Sequence, residues 1–185
     1  MTAGVAVIFT STVLYPVFTD SLWFAASIGA HLSGEGFRAR LITEAGEIAP
    51  RGTFNDTLLD MLAVISPSSH GGLLSGTSAL ASAGGQLIAV VGRLSADDAS
   101  QLAASRRGNA PAMALLLAVS AWAADSVPEE VTRTAEVLAA AGWRVAVVTA
   151  STPLASAWQQ LHRPADRPLP TGGFDRSRIG GGDWR

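Results

Sequence analysis

Short apolar runs alternate with amphipathic stretches along most of the chain, and each run has the length of a strand. Residues 5–9 (VAVIF) are apolar and rich in β-branched side chains, and they predict a first strand. Leu22, Trp23, Ala26, Ile28 and Leu32 recur at helical spacing. Thr19 or Asp20 is placed to cap that helix, and Gly34 and Gly36 stop it. Residues 37–43 predict a second strand, and 44–52 a turn-rich connection. Asn55 predicts the cap of a short helix through Leu58, Leu59, Leu62 and Ile65, ended by Pro67. Residues 66–86, rich in Ser, Gly and Ala, predict a loop with one weak helix over 77–83.

The second half is more regular. Residues 87–91 predict a strand. Ser95 opens S-A-D-D, a capping box that sets carboxylates at the positive end of a helix ending near Arg106, Arg107 and Gly108. Residues 113–119 are continuously apolar, as a strand covered on both faces requires. Ser126, Val127, Pro128 and Glu129 form a second capping box with proline in the first turn. Its helix presents Val131, Ala135, Leu138 and Ala139 on one face and stops at Gly142. Residues 145–148 predict a strand, and Thr152 and Pro153 start a last helix through Leu154, Trp158 and Leu161. Beyond Arg163, prolines and glycine clusters replace any apolar period. The organisation expected is one α/β domain over 1–163 and a disordered tail over 164–185.

Strands that alternate with helices make βαβ units. The expected fold is therefore a mainly parallel open sheet flanked by helices, three-layer α/β/α and Rossmann-like. One phrase occurs twice in it, "GFRARLIT" from residue 36 and "GWRVAVVT" from residue 142. In this grammar the glycine ends a helix, the aromatic packs the helix end onto the sheet, and the threonine ends the strand. Phe37 and Trp143 are accordingly packing residues. Thr43 and Thr149 fall on the carboxyl edge, where open α/β sheets bind ligands. Thr10, Ser11 and Thr12 follow the first strand to the same edge. These five hydroxyls are the candidate ligand-edge residues.

Composition narrows the chemistry. All thirteen basic residues are arginines, so Schiff-base chemistry and a P-loop lysine are excluded. The absence of cysteine excludes disulfides, thiolate metal sites and a cysteine nucleophile. A net charge of -2 gives no electrostatic reason to expect nucleic acid or an anionic membrane. The apolar runs at 5–18 and 110–124 are too short and too interrupted to span a bilayer, which takes roughly 20 residues. The first nineteen residues also lack the positive start of a signal peptide.

No catalytic or cofactor-binding set emerges. His31, His70 and His162 share no metal-ligand spacing, and His162 suits a helix C-terminus. The glycine-rich stretch "SHGGLLSGTSALASAGG" has neither phosphate-loop nor dinucleotide spacing, and no G-x-S-x-G elbow occurs. Asp97, Asp98, Glu129 and Glu130 are helix-start residues. Asp56 and Asp60 lie on one helix face as solvated surface. Trp23, Trp122, Trp143 and Trp158 read as core or helix–sheet packing, and Trp184 lies in the tail. Three readings stay open: an interaction module, a small-molecule or nucleotide binder using the sheet edge, and a degenerate product that folds poorly without a missing N-terminal part.

The stretches "SLWFAASIGAHLSGEGFRARLIT", "LLDMLAVISPS", "LIAVVGRLSADDASQLAASR", "ALLLAVSAW" and "LAAAGWRVAVVTASTPLASAWQQL" cover most of residues 21–161. In order and wording they resemble the C-terminal half of domain-of-unknown-function family 58, bacterial von Willebrand factor A-like proteins of actinobacterial style. The resemblance implies a von Willebrand factor A-like sheet and a truncated or degenerate copy, one that begins after the family's membrane helices and tryptophan-containing segment. It also implies protein–protein interaction rather than catalysis. The partners implied are a MoxR-type AAA+ ATPase or a transglutaminase-like membrane protein, with a cytoplasmic location and membrane association through them. Such domains carry a D-x-S-x-S cation site after the first strand, an oxygen-only shell suited to a hard divalent ion. Here Thr10 and Thr12 supply the hydroxyls, but Ile8 and Phe9 stand where a carboxylate is needed. No intact metal site and no cofactor are expected.

Overall fold

The computed structural model describes residues 4–9, 15–43, 46–48, 85–106, 110–124 and 126–162. The strands are β1 (Gly4–Phe9), β2 (Arg38–Thr43), β3 (Gly46–Ile48), β4 (Gln86–Val91), β5 (Ala112–Leu117) and β6 (Arg144–Val148). The helices are α1 (Tyr15–Gly34), α2 (Ala96–Ser105), α3 (Glu129–Ala140) and α4 (Leu154–His162), with a 3-10 segment at Val119–Ala124. The strands form one six-stranded sheet in the order β3-β2-β1-β4-β5-β6. Five are parallel, and β3 alone runs antiparallel against β2. The mainly parallel open sheet read from the sequence is therefore present.

Its two faces are filled by alternate side chains of the same strands. Ile88 and Val90 of β4 join Met113, Leu115 and Leu117 of β5 under α1 and α4, with Ile28, Leu32, Ala157 and Leu161. Leu87, Ala89 and Val91 join Ala112, Ala114 and Leu116 on the opposite face, under Leu102 of α2 and Val131, Ala135 and Leu138 of α3. This is why residues 112–117 read as an unbroken apolar run. Each fully buried leucine among them contributes about 1.5–3 kcal/mol. The chain steps from β1 to β2 in one direction and from β4 through β5 to β6 in the other. A constant crossover hand then places α1 on one face and α2 and α3 on the other.

The repeated phrase is one structural device used on both faces. After α1, Gly36 takes φ +84° while the Phe37 amide donates to Leu32 O at 3.0 Å. After α3, Gly142 takes φ +83° while the Trp143 amide donates to Leu138 O at 3.0 Å. Both are left-handed helix stops with a six-to-one hydrogen bond. Phe37 then packs half-buried against the α1 side, and Trp143, 4% exposed, against the α3 side, its indole N–H reaching Ala103 O at 3.4 Å. The copies differ in one respect. Arg106 crosses to the end of α3, donating through Nη1 to Ala141 O at 3.1 Å and lying over Gly142.

Several expectations are corrected. The first helix begins at Tyr15, so Thr19 and Asp20 lie inside it; Pro16 is tolerated because the first turn needs no amide donor. The turn-rich connection contains β3, three residues too short to show a period and held to the sheet edge by Glu47 pairing with Arg40. Ser126 is not a cap. Pro128 holds the N-cap position of α3 with extended backbone and no side-chain capping bond. The expected Ser95 cap does form, with Ser95 Oγ accepting from the Asp98 amide at 3.1 Å. Val119 leaves the strand for the 3-10 segment, and Ala139 is exposed. Trp23 is 70% exposed, because Leu22, Ala25, Ala26 and Ile28 take the inward face of α1. The helix read near residues 55–65, the loop and weak helix of 66–84, and the tail of 164–185 lie outside the described residues.

Gly142→Ala is expected to destabilise by about 2 kcal/mol and Gly36→Ala by about 1 kcal/mol, both through left-handed backbone strain. The excess at 142 arises because an added Cβ would sit 2.6 Å from Arg106 Nη1, whereas nothing lies within 4 Å at Gly36. Equal losses in urea unfolding would remove any role for Arg106. The Arg40–Glu47 pair supplies a pH signature. Hydrogen bonding from Arg40 holds the Glu47 carboxyl below its ordinary 4.5, against a smaller opposing effect of burial and with added charge attraction. A carboxylate so depressed stabilises the fold above its unfolded pKa and loses that contribution as pH falls through the folded value. With about a third of each side chain exposed, the contribution is at most ~1 kcal/mol. The stability gap between wild type and Glu47→Gln should therefore close as pH drops below 4.5.

Candidate functional site

All five parallel strands end on one edge, at Phe9, Thr43, Val91, Leu117 and Val148. Strand order reverses between β1 and β4, and the crevice outside that reversal is where doubly wound sheets hold ligands. Phe9 pairs with Thr43 in register, so the chain leaves β1 beside the end of β2. Thr10, Ser11 and Thr12 lie outside the described residues. Thr43 is at the edge and 5% exposed. Thr149 follows β6, four strand positions away, a separation of roughly 19 Å at the usual interstrand spacing. The two strand-end threonines of the repeated phrase are thus not brought together.

Thr149 is committed locally. Its amide donates to Thr152 Oγ1 at 3.0 Å, and its Oγ1 lies 2.9 Å from Thr152 Oγ1 and 3.3 Å from Ser151 Oγ. The Thr152 amide returns to Thr149 O at 3.1 Å. These bonds close the turn that feeds α4, with Pro153 presetting the backbone before the helix. The hydroxyl therefore shapes the strand-to-helix turn.

The edge also carries Arg93 and Ser120, which the sequence did not single out, together with Glu130, which it marked only as a helix-start residue. Gly92, Arg93 and Leu94 leave β4 at the reversal point and, with Ser120, Glu130 and Thr134, line a notch between the sheet and the start of α3. Its volume is about 10 Å³, the room of a single water. Ser120 Oγ donates to Glu130 Oε1 at 2.9 Å, which joins the 3-10 segment to the first turn of α3. Glu130 thus serves two ends, complementing the helix dipole and anchoring the preceding turn. Arg93 is exposed beside them. Its one legible signal was position, directly after a fully buried strand at the reversal point.

This arrangement can recognise a polar surface group, but it does not assemble a reacting centre. Among the described residues no group of three or more His, Asp or Glu side chains is placed to hold a metal ion. His31 lies on α1 and His162 in the last turn of α4, on the face away from the notch. His162 Nδ1 is 2.9 Å from Trp158 O, which fits the expected helix-end role. His70, Asp56 and Asp60 lie outside the described residues. No helix among the described residues is long and apolar enough to cross a membrane. Comparisons with family models, curated proteins and solved structures returned no match for this chain.

Thr149→Val is expected to cost about 1 kcal/mol, because the Thr152 hydroxyl loses one of its two bonds, keeping only the one from the Thr149 amide, while the added methyl finds no polar partner. Urea unfolding measures it. An unchanged midpoint would show that the turn does not depend on this hydroxyl.

Proposed function

We propose that the chain is a non-catalytic interaction module of von Willebrand factor A-like type, presenting the carboxyl edge of its sheet to a protein partner. The observation that carries this reading is the amino-acid sequence that links β1 to α1, since β1 ends at the reversal point. Residues 10–14 are Thr-Ser-Thr-Val-Leu, three hydroxyls and no glycine. A dinucleotide-binding sheet of this strand order needs glycines there, so that the backbone can approach the pyrophosphate. The hydroxyl pattern instead suits the cation-site turn of the family this sequence resembles. Ile8 and Phe9, the last residues of β1, replace its acidic residue. A linking sequence with hydroxyls but no carboxylate supports recognition by hydrogen bonding, with weak affinity for Mg²⁺. By the same resemblance, the partner classes are a MoxR-type AAA+ ATPase or a transglutaminase-like membrane protein.

Arg93 at the same edge favours a second reading, a binder of small anionic molecules. A thermal-shift screen separates the two, since a ligand that binds the native state raises its melting temperature. The interaction module should show no shift with nucleotides or millimolar Mg²⁺, and should co-elute with a purified MoxR-type ATPase in size exclusion. A shift of several degrees with one nucleotide, together with failure to co-elute, would replace this reading with the second.

A further inference from the structure

The two lateral edges of the sheet are finished differently. β3 is only three residues long, and its Glu47 is paired with Arg40 across the ladder. Shortness and charge both discourage another strand from adding there. β6 forms the other edge with Arg-Val-Ala-Val-Val, rich in β-branched residues and free of proline, in unbroken register with β5. Among the described residues β6 pairs with β5 alone. Its one charge does not guard it, because Arg144 Nη1 is drawn to Leu161 O at 3.4 Å, at the end of α4.

Val148 O accepts from the Ala118 amide at 2.9 Å, which turns the main-chain groups of Arg144, Ala146 and Val148 toward β5. Val145 and Val147 therefore turn theirs outward. Exposure follows the same alternation, with Ala146 and Val148 buried and Val145 and Val147 half-buried. Outward main-chain groups at such an edge are a template for a further strand. The helices on either side leave room for one. Glu130 and Thr134 mark the flank of α3 that faces the end of β4. At about 100° per residue, Thr132 and Ala139 lie on the opposite flank, over β6, and both are exposed. Ala155 and Trp158 mark the flank of α4 that faces α1. Ser156 and Gln160, also exposed, then lie over the β6 edge. None of these four edge residues is charged, while Glu129, Arg133 and Glu136 lie on the outer face of α3.

We propose that two copies of the chain join β6 to β6 about a two-fold axis at Ala146, so that one sheet continues through both. Antiparallel pairing sets Val145 opposite Val147 of the second copy, each amide donating to the other's carbonyl, and the symmetry repeats the pair. Ala146 then meets Ala146 of the second copy in the close position without main-chain bonds, ~4.5 Å between Cα atoms, where a small side chain fits. Arg144 falls opposite Val148 of the second copy and not opposite itself. The occupant is a second copy because a charge near a two-fold axis meets its own kind, and charge is missing from both helix flanks over this edge. α3 runs back along β6, so Thr132 lies level with Ala139 of the second copy. The contact is lateral to the carboxyl edge and does not depend on what that edge binds.

Sedimentation velocity of the full chain should show a mass that rises from one chain toward two between micromolar and millimolar concentration. Hydrogen exchange over the same range should slow more at the Val145 and Val147 amides than at Ala146, which is already bonded to β5. Two double variants, Thr132→Glu with Ala139→Glu and Thr132→Arg with Ala139→Arg, change only exposed positions. Each should keep a cooperative melt and stay monomeric at the highest concentration, and an equimolar mixture of the two should recover the dimer. A wild-type chain that stays monomeric at millimolar concentration would overturn the proposal, as would a mixture that stays monomeric. Val145 and Val147 amides that exchange slowly even at the lowest concentration would give the edge to another segment of the same chain. Dimers that persist in both charged variants would place the contact on another face.

Discussion

Burial of β4 and β5 on both faces is the constraint from which the rest of the structure follows. No residue from Leu87 to Val91 or from Ala112 to Ala118 is more than 4% exposed. A strand buried on one side only asks for one layer of helices. Two central strands buried on both sides ask for two layers, and therefore for crossovers that pass on opposite faces. The reversal of strand order between β1 and β4 meets that demand, because opposite stepping directions with one crossover hand put α1 and α2 on different sides. The same reversal opens the crevice at the carboxyl edge. Core and candidate site thus have one cause.

The helix stops serve this layering. A helix that has covered its face must turn back without exposing its last carbonyls, and the Gly36 and Gly142 turns do so with matched hydrogen bonds. The aromatic that follows goes to the face its helix has just covered, Phe37 under α1 and Trp143 under α3. The repeated phrase is therefore explained by packing. Its threonines diverge in use: Thr43 is buried within β2, and Thr149 is spent closing the turn into α4.

The two sides of the molecule differ in what they leave unfinished. The edge toward α3 is polar and nearly filled, with Ser120, Glu130 and Arg93 around a water-sized notch. The α1–α4 side keeps an apolar groove lined in part by Trp158. Apolar surface is costly in water and a charged rim is not, so the groove calls for a cover and the edge for a polar contact.

Legibility followed the range of the forces involved. Apolar runs and glycine stops act over a few residues, and they located β1, β2, β4, β5, β6 and three of the four helices among the described residues to within two residues. The α1 start was missed because Thr19 and Asp20 have the chemistry of caps, whereas the helix begins a turn earlier, where Pro16 removes no hydrogen bond. β3 was missed because three residues carry no period; its place comes from pairing with β2 and from Arg40, whose partner no local pattern names. Arg93, Ser120 and Glu130 meet only because β4, the 3-10 segment and α3 end at one edge, and a linear chain carries no trace of that convergence. The exposure of Trp23 was likewise settled by which arc of α1 the sheet accepted. The sequence by itself determined the layered α/β class, the repeated helix stop and the lack of cysteine and lysine chemistry, since these depend on residue type and short spacing. Strand order, the position of the edge and the groove between α1 and α4 were decided only by tertiary structure, because they arise where segments far apart in the chain compete for the same buried surface.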